Sequence, residues 1–147
     1  MAKHFIYPLL FTLIMASQPR LNTGLAVSGA VVFKGVTKPG ELRMALVDEE
    51  TFRRPFDGNQ KLQIPVGDKE LKTGTAAFCF KGLLPGRYGI RCFVDHDGNK
   101  ELTIGIFGPS EPWGMSFIKK KPIGMPKFRH IVFDVYSPVK NLRIVVD

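Results

Sequence analysis

A chain of 147 residues with 44% hydrophobic residues and only two cysteines can form one domain with its own core. It needs neither a disulfide scaffold nor a structural metal to do so. Twenty-one Lys and Arg against thirteen Asp and Glu give a formal charge of +8, which favours anionic partners in general. No RNP, zinc-finger or recognition-helix pattern accompanies that charge, so nucleic acid is not an expected partner.

Residues 1–26 read as a secretory signal peptide. Lys3 and His4 form a short basic start, an apolar run follows from Phe5 to Ala16, and Gly24-Leu25-Ala26 offers a small-x-small cleavage site. The run is too short for a comfortable membrane span. Cleavage after Ser17 and an uncleaved N-terminal anchor are the alternatives. The mature domain is then residues 27–147, periplasmic or secreted, with no stable membrane span once the leader is removed.

The first strand is expected over residues 27–34, centred on Ala30-Val31-Val32-Phe33. Leu42, Met44 and Leu46 alternate with Arg43 in a second, over 41–48. Residues 48–59 are polar, broken by Pro55 and Gly58, with room for one helical turn anchored by Phe52 and Phe56. A third strand over 61–66 suits a sheet edge, because Pro65 donates no ladder hydrogen bond. Residues 67–74 read as a charged loop. Residues 75–81 and 87–94 then read as the two arms of a central hairpin, with Pro85-Gly86 reversing the chain. Tyr88, Ile90, Cys92 and Val94 share one face of the second arm. An acidic turn occupies 95–101, a short strand 102–108, and a long irregular stretch 109–127. The last strands are expected over 129–136 and 142–146. About seven short strands separated by turn signals predict an all-β, antiparallel sandwich.

Taken together, Gly40-Glu41-Leu42-Arg43-Met44-Ala45-Leu46-Val47-Asp48, Phe80-Lys81-Gly82-Leu83-Leu84-Pro85-Gly86-Arg87-Tyr88-Gly89-Ile90, Asp95-His96-Asp97-Gly98-Asn99 and Gly105-Ile106-Phe107-Gly108-Pro109-Ser110-Glu111-Pro112-Trp113-Gly114-Met115-Ser116 form an ordered set. With Pro126-Lys127-Phe128 and Phe133-Asp134-Val135 added, the chain resembles the DUF2141 family of secreted bacterial proteins over roughly residues 27–147. The resemblance implies an exported immunoglobulin-like or prealbumin-like sandwich with no assigned chemistry. Family members often carry a His just before the acidic turn, where this chain has Val94.

Three constellations are candidates for function. Asp95, Asp97, Asn99 and Glu101 alternate oxygen-bearing side chains on a Gly-containing turn, a pattern that can wrap a hard cation such as Ca²⁺. Lys100 and Ile106 stand where an EF-hand needs Gly and Glu, so this is not an EF-hand. Either another loop completes the site, or the residues simply build a turn with side-chain-to-backbone hydrogen bonds. Glu111 and Trp113 lie together in a Pro/Gly-rich loop. Exposed, Trp113 is a stacking platform for a sugar ring or small ligand; buried, it anchors the loop. Lys119, Lys120 and Lys121 extend the same loop as a basic patch for anionic polymers or head groups, or as a solvated charged face.

No catalytic constellation is present. Ser28, Ser110, Ser116 and Ser137 lack a nucleophile-elbow context, and His96 and His130 lack metal-ligand spacing. Parity argues against a Cys79–Cys92 disulfide, because Phe78 and Phe80 turn Cys79 outward while Cys92 shares the face of Ile90. The expected protein is a non-catalytic binding or structural module of the envelope, with Ca²⁺ as the one cofactor suggested. Its expected partner is an envelope protein or a glycan.

Overall fold

The computed structural model describes residues 23–119 and 124–147. Most of the predicted leader, and Lys120 and Lys121, lie outside the described residues. In chain order the elements are β1 (Ala26–Phe33), β2 (Gly40–Val47), α1 (Glu49–Phe52), β3 (Gln60–Val66), α2 (Asp68–Thr73), β4 (Thr75–Lys81) and β5 (Gly86–Asp95). Then come β6 (Ile104–Gly105), β7 (Gly108–Pro109), β8 (Trp113–Met115), α3 (Phe128–Ile131), β9 (Phe133–Val135) and β10 (Val139–Val146).

The strands form an all-β sandwich. One sheet has the order β10-β1-β4; the other has the order β3-β2-β5-β8, with β9 also paired to β5. β6 and β7 form a separate small hairpin. Val27, Val31, Phe78, Phe80, Ile144 and Val146 of the first sheet meet Leu42, Met44, Leu46, Ile90, Cys92 and Val94 of the second in one buried cluster. Each side chain of this size buried there contributes about 1.5–3 kcal/mol. The period-2 face predicted for residues 88–94 is the inner face of β5, and Tyr88, Ile90, Cys92 and Val94 are all buried.

Two expectations about this frame are corrected. β4 and β5 do not pair as a hairpin: β4 bonds β1 in one sheet and β5 bonds β2 in the other. Leu83-Leu84-Pro85 therefore carries the chain across the sandwich. Leu83 is buried and accepts from Thr23 through its carbonyl, while the Tyr88 hydroxyl donates to the Leu84 carbonyl at 2.9 Å. A turn at Pro-Gly specifies a reversal but not which strand is met on return. The sandwich is also not wholly antiparallel, because β1 and β10 run parallel. The last strand leaves β9 in the second sheet and joins the first, so it arrives in the same sense as β1.

Several elements appear where loops were expected. The 67–74 stretch contains α2. The Glu70 carboxylate accepts from the Gly67 N–H at 3.0 Å, and Gly74 ends the helix at φ +72°. Inside the long irregular stretch lies β8, which pairs with β5 through Trp113 opposite Phe93 and Met115 opposite Arg91. α3 replaces the first half of the strand expected over 129–136. Leu25, assigned to the leader, is buried in the core, and Thr23 bonds Leu83, so the packed domain includes residues 23–26. No helix among the described residues is long and apolar enough to cross a membrane.

Candidate functional site

The acidic turn is placed by the end of β5. Asp95 lies opposite Glu41 of β2 and is only 3% exposed. A buried carboxylate must be answered by donors, and this one has three. The Gly98 N–H donates to Oδ1 at 2.8 Å; the Lys100 N–H and the Arg43 Nε donate to Oδ2 at 2.9 and 3.2 Å. Burial alone would raise the Asp95 carboxyl, but the Lys100 and Gly98 N–H groups and the Arg43 guanidinium hold it below its ordinary value. Lys100, at φ +66°, closes the turn around it.

The rest of the turn is built by its own side chains. The Asp97 carboxylate accepts from the Asn99 N–H at 3.0 Å. The Asn99 side chain accepts from the Glu101 N–H at 3.0 Å and donates to Thr103 at 3.2 Å. These are the side-chain-to-backbone bonds by which Asp and Asn stabilise tight turns. They also turn Asn99 towards Thr103, and Glu101 lies exposed.

A different residue joins the two aspartates. One carboxylate oxygen from each of Asp95, Asp97 and Glu111 lies within 4.8 Å of the other two. Glu111 precedes β8 and is 7% exposed. Its Oε1 accepts from the His96 N–H at 3.1 Å, while its Oε2 is buried with no hydrogen-bond partner among the described residues. The four-residue sequential set thus becomes a three-residue set drawn from two loops. The sequence offers Glu111 as a neighbour of Trp113; the fold aims it at the acidic turn instead. The β6–β7 hairpin separates the two loops in sequence, and its base is tied by the Ser110 N–H donating to Thr103 at 2.9 Å.

Three carboxylates so close repel one another at several kcal/mol per pair, on the order of 3 at an effective dielectric of about 20. One guanidinium, Arg43, offsets part of this and is itself shared with Glu41. With Arg43 divided between Asp95 and Glu41, the cluster keeps a negative excess, which suits a divalent cation. All the donors are oxygens, which suits Ca²⁺ or Mg²⁺ rather than a soft metal.

The Trp113 loop is a buried anchor. Trp113 is 7% exposed and packs with Phe93, Met115 and Ile131 on the outer face of the second sheet. Its backbone exchanges hydrogen bonds with Asp147 at 3.3 Å in both directions, which ties β8 to the end of β10. It presents no open platform for a sugar ring. Lys119 is exposed.

Ser116, His96 and His130 each meet neighbouring backbone groups. The Ser116 hydroxyl is fully buried and donates to the Ile131 carbonyl while accepting from the Ile90 N–H. His96 Nδ1 lies 3.0 Å from the Pro39 carbonyl, and His130 Nδ1 accepts from the Lys127 N–H. Cys79 and Cys92 are both free thiols. Burial pushes the Cys92 thiol up to about 12.

A family model described as "Uncharacterized protein conserved in bacteria (DUF2141)" matches residues 31–143. No curated protein and no solved structure matches the chain.

Proposed function

The chain belongs to the DUF2141 family of uncharacterised bacterial proteins, and from that premise we propose that it is an exported, non-catalytic binding or structural module of the cell envelope, stabilised by Ca²⁺. The observation that carries this reading is the buried, unpartnered Oε2 of Glu111 beside Asp95 and Asp97. An unanswered buried carboxylate oxygen is costly, and a cation held by all three residues would remove that cost. Asp95 and Asp97 lie in a turn already shaped by bonds from backbone N–H groups, so little ordering remains for binding to accomplish. The cation would join the turn after β5 to the approach to β8 and stiffen the edge from which the β6–β7 hairpin projects. A partner, protein or glycan, would meet that stiffened edge. The basic start and apolar run of residues 1–16 support export.

Thermal unfolding with Ca²⁺ and with EDTA tests this. A ligand at about a hundredfold excess over its Kd stabilises by about 2.7 kcal/mol, which for a domain of this size is a rise in Tm on the order of 10 °C. The rise is expected in the protein and absent in Asp97→Asn, whose exposed side chain keeps the shape and loses the charge. Equal melting with Ca²⁺ and EDTA would leave the three carboxylates a structural turn.

A further inference from the structure

On the outer face of the second sheet, beside the Trp113 cluster, lies a cavity of about 370 Å³. Small-molecule sites usually span roughly 300–1,000 Å³. β2 and β5 form its floor, and Phe52, Phe56, Phe93 and Trp113 are its aromatic lining. Its charged lining is of one sign. Arg43, Arg53, Lys61, Arg91 and Lys100 line it, and among the described residues no Asp or Glu does.

Two of these cations are answered nearby, Arg43 by Asp95 and Glu41 and Arg53 by Glu49. Lys61, Arg91 and Lys100 form no direct ion pair among the described residues, although the Asp57 carboxylate is near enough to act on Lys61 and Arg91. Arg91 is the most telling. Its guanidinium donates to the carbonyls of Phe52, Arg54 and Asp57 at 3.2, 2.6 and 2.7 Å and lies 5.8 Å from the centre of the Phe52 ring. Its Nε is buried with no partner. Carbonyl oxygens satisfy its hydrogen bonds and the nearby Asp57 carboxylate favours its charge, but no carboxylate pairs with the guanidinium directly and burial still disfavours it. Lys61, on the edge strand β3, and Lys100, at the close of the acidic turn, are exposed at the cavity's rim.

An aromatic recess whose charged lining is basic selects a ligand that is apolar along its body and negative at one end. We propose that this cavity binds a small amphipathic anion of the alkyl-carboxylate class, with its head group at Lys61 and Arg91, which flank Ala45 of β2, and its chain against Phe52, Phe93 and Trp113. The proposal does not rest on the cation reading, because none of the three clustered carboxylates lines the cavity.

Trp113 is the only Trp in the chain, so its emission reports on the cavity directly. Dodecanoate is titrated below its micellar range in EDTA, with dodecyltrimethylammonium as the charge-reversed probe. A saturable change in Trp113 emission is expected with dodecanoate, and binding at least about tenfold weaker with the cationic probe. Lys61→Glu is expected to weaken dodecanoate by about tenfold, with unchanged melting because its side chain is exposed. Should that variant melt lower, the uncharged Lys61→Gln carries the test, with a several-fold loss expected. The absence of a saturable change, equal affinity for the two probes, or unaltered dodecanoate binding by the folded variant would each overturn the proposal. Working in EDTA keeps a failure here separate from any failure of the Ca²⁺ reading.

Discussion

At the scale of single residues, the fold gives the two thiols opposite fates. Cys79 is half-buried on β4, whereas Cys92 is buried in the core with its sulfur 3.6 Å from the Gly114 carbonyl. A thiolate is the reactive species, and with its pKa raised to about 12 by burial, Cys92 is almost wholly protonated near neutral pH. Iodoacetamide should label one site in the native protein, at Cys79, and two after unfolding. Labelling of both thiols in the folded protein would contradict the buried position of Cys92. This difference was legible in the sequence, because Phe78, Phe80 and Ile90 already fix which face each cysteine takes. The role of Glu111 was not. A single carboxylate in a Pro/Gly-rich loop carries no periodic signal, and its partners are fifteen or so positions away in sequence.

At the scale of elements, α1 shows how a four-residue helix survives. Asp48 caps it by accepting from the Thr51 N–H at 2.8 Å, while the Asp48 N–H donates to the Thr51 hydroxyl at 3.0 Å. The Asn59 amide also donates to the Asp48 carboxylate. Those bonds, the Thr51 N–H first, hold the Asp48 carboxyl below its ordinary value of 3.8. A depressed carboxylate stabilises the folded state fully above its unfolded pKa, and the contribution is lost as pH falls through the folded value. Asp48→Ala should therefore cost about 1 kcal/mol near neutral pH, and less once the medium is acidic enough to protonate Asp48. Urea unfolding at the two pH values checks this; a cost independent of pH would rule out the charged cap. Helices of this length, and α2, escape periodicity because one turn carries too few apolar positions to show a face. Strands such as β2 and β5 were legible because their inner faces repeat over eight and ten residues.

At the scale of the whole molecule, strand positions could be read but their partners could not. Alternation shows that residues 75–81 and 87–94 are strands, yet the same pattern fits a hairpin and a pair split across two sheets. What decides is packing. Phe78 and Phe80 on one side and Ile90 and Val94 on the other fill one core from opposite layers. The sandwich is drawn together along β8 as well. A Cβ built on Gly114 would lie 2.1 Å from the Val145 carbonyl oxygen, so only glycine lets β8 approach β10. Gly114→Ala should lose about 3 kcal/mol or more in denaturant unfolding; a variant as stable as the parent would contradict this close approach. The same change would disturb both proposed sites, since β8 follows Glu111 and carries Trp113.

The central claim is that the acidic turn reaches across to Glu111 rather than closing on its own Glu101. Calorimetric titration of Ca²⁺ into the protein, Glu111→Gln and Glu101→Gln tests it most directly. One ion per chain is expected for the protein and for Glu101→Gln, with binding lost in Glu111→Gln. Loss in Glu101→Gln with retention in Glu111→Gln, or no binding to the parent protein, would contradict the account.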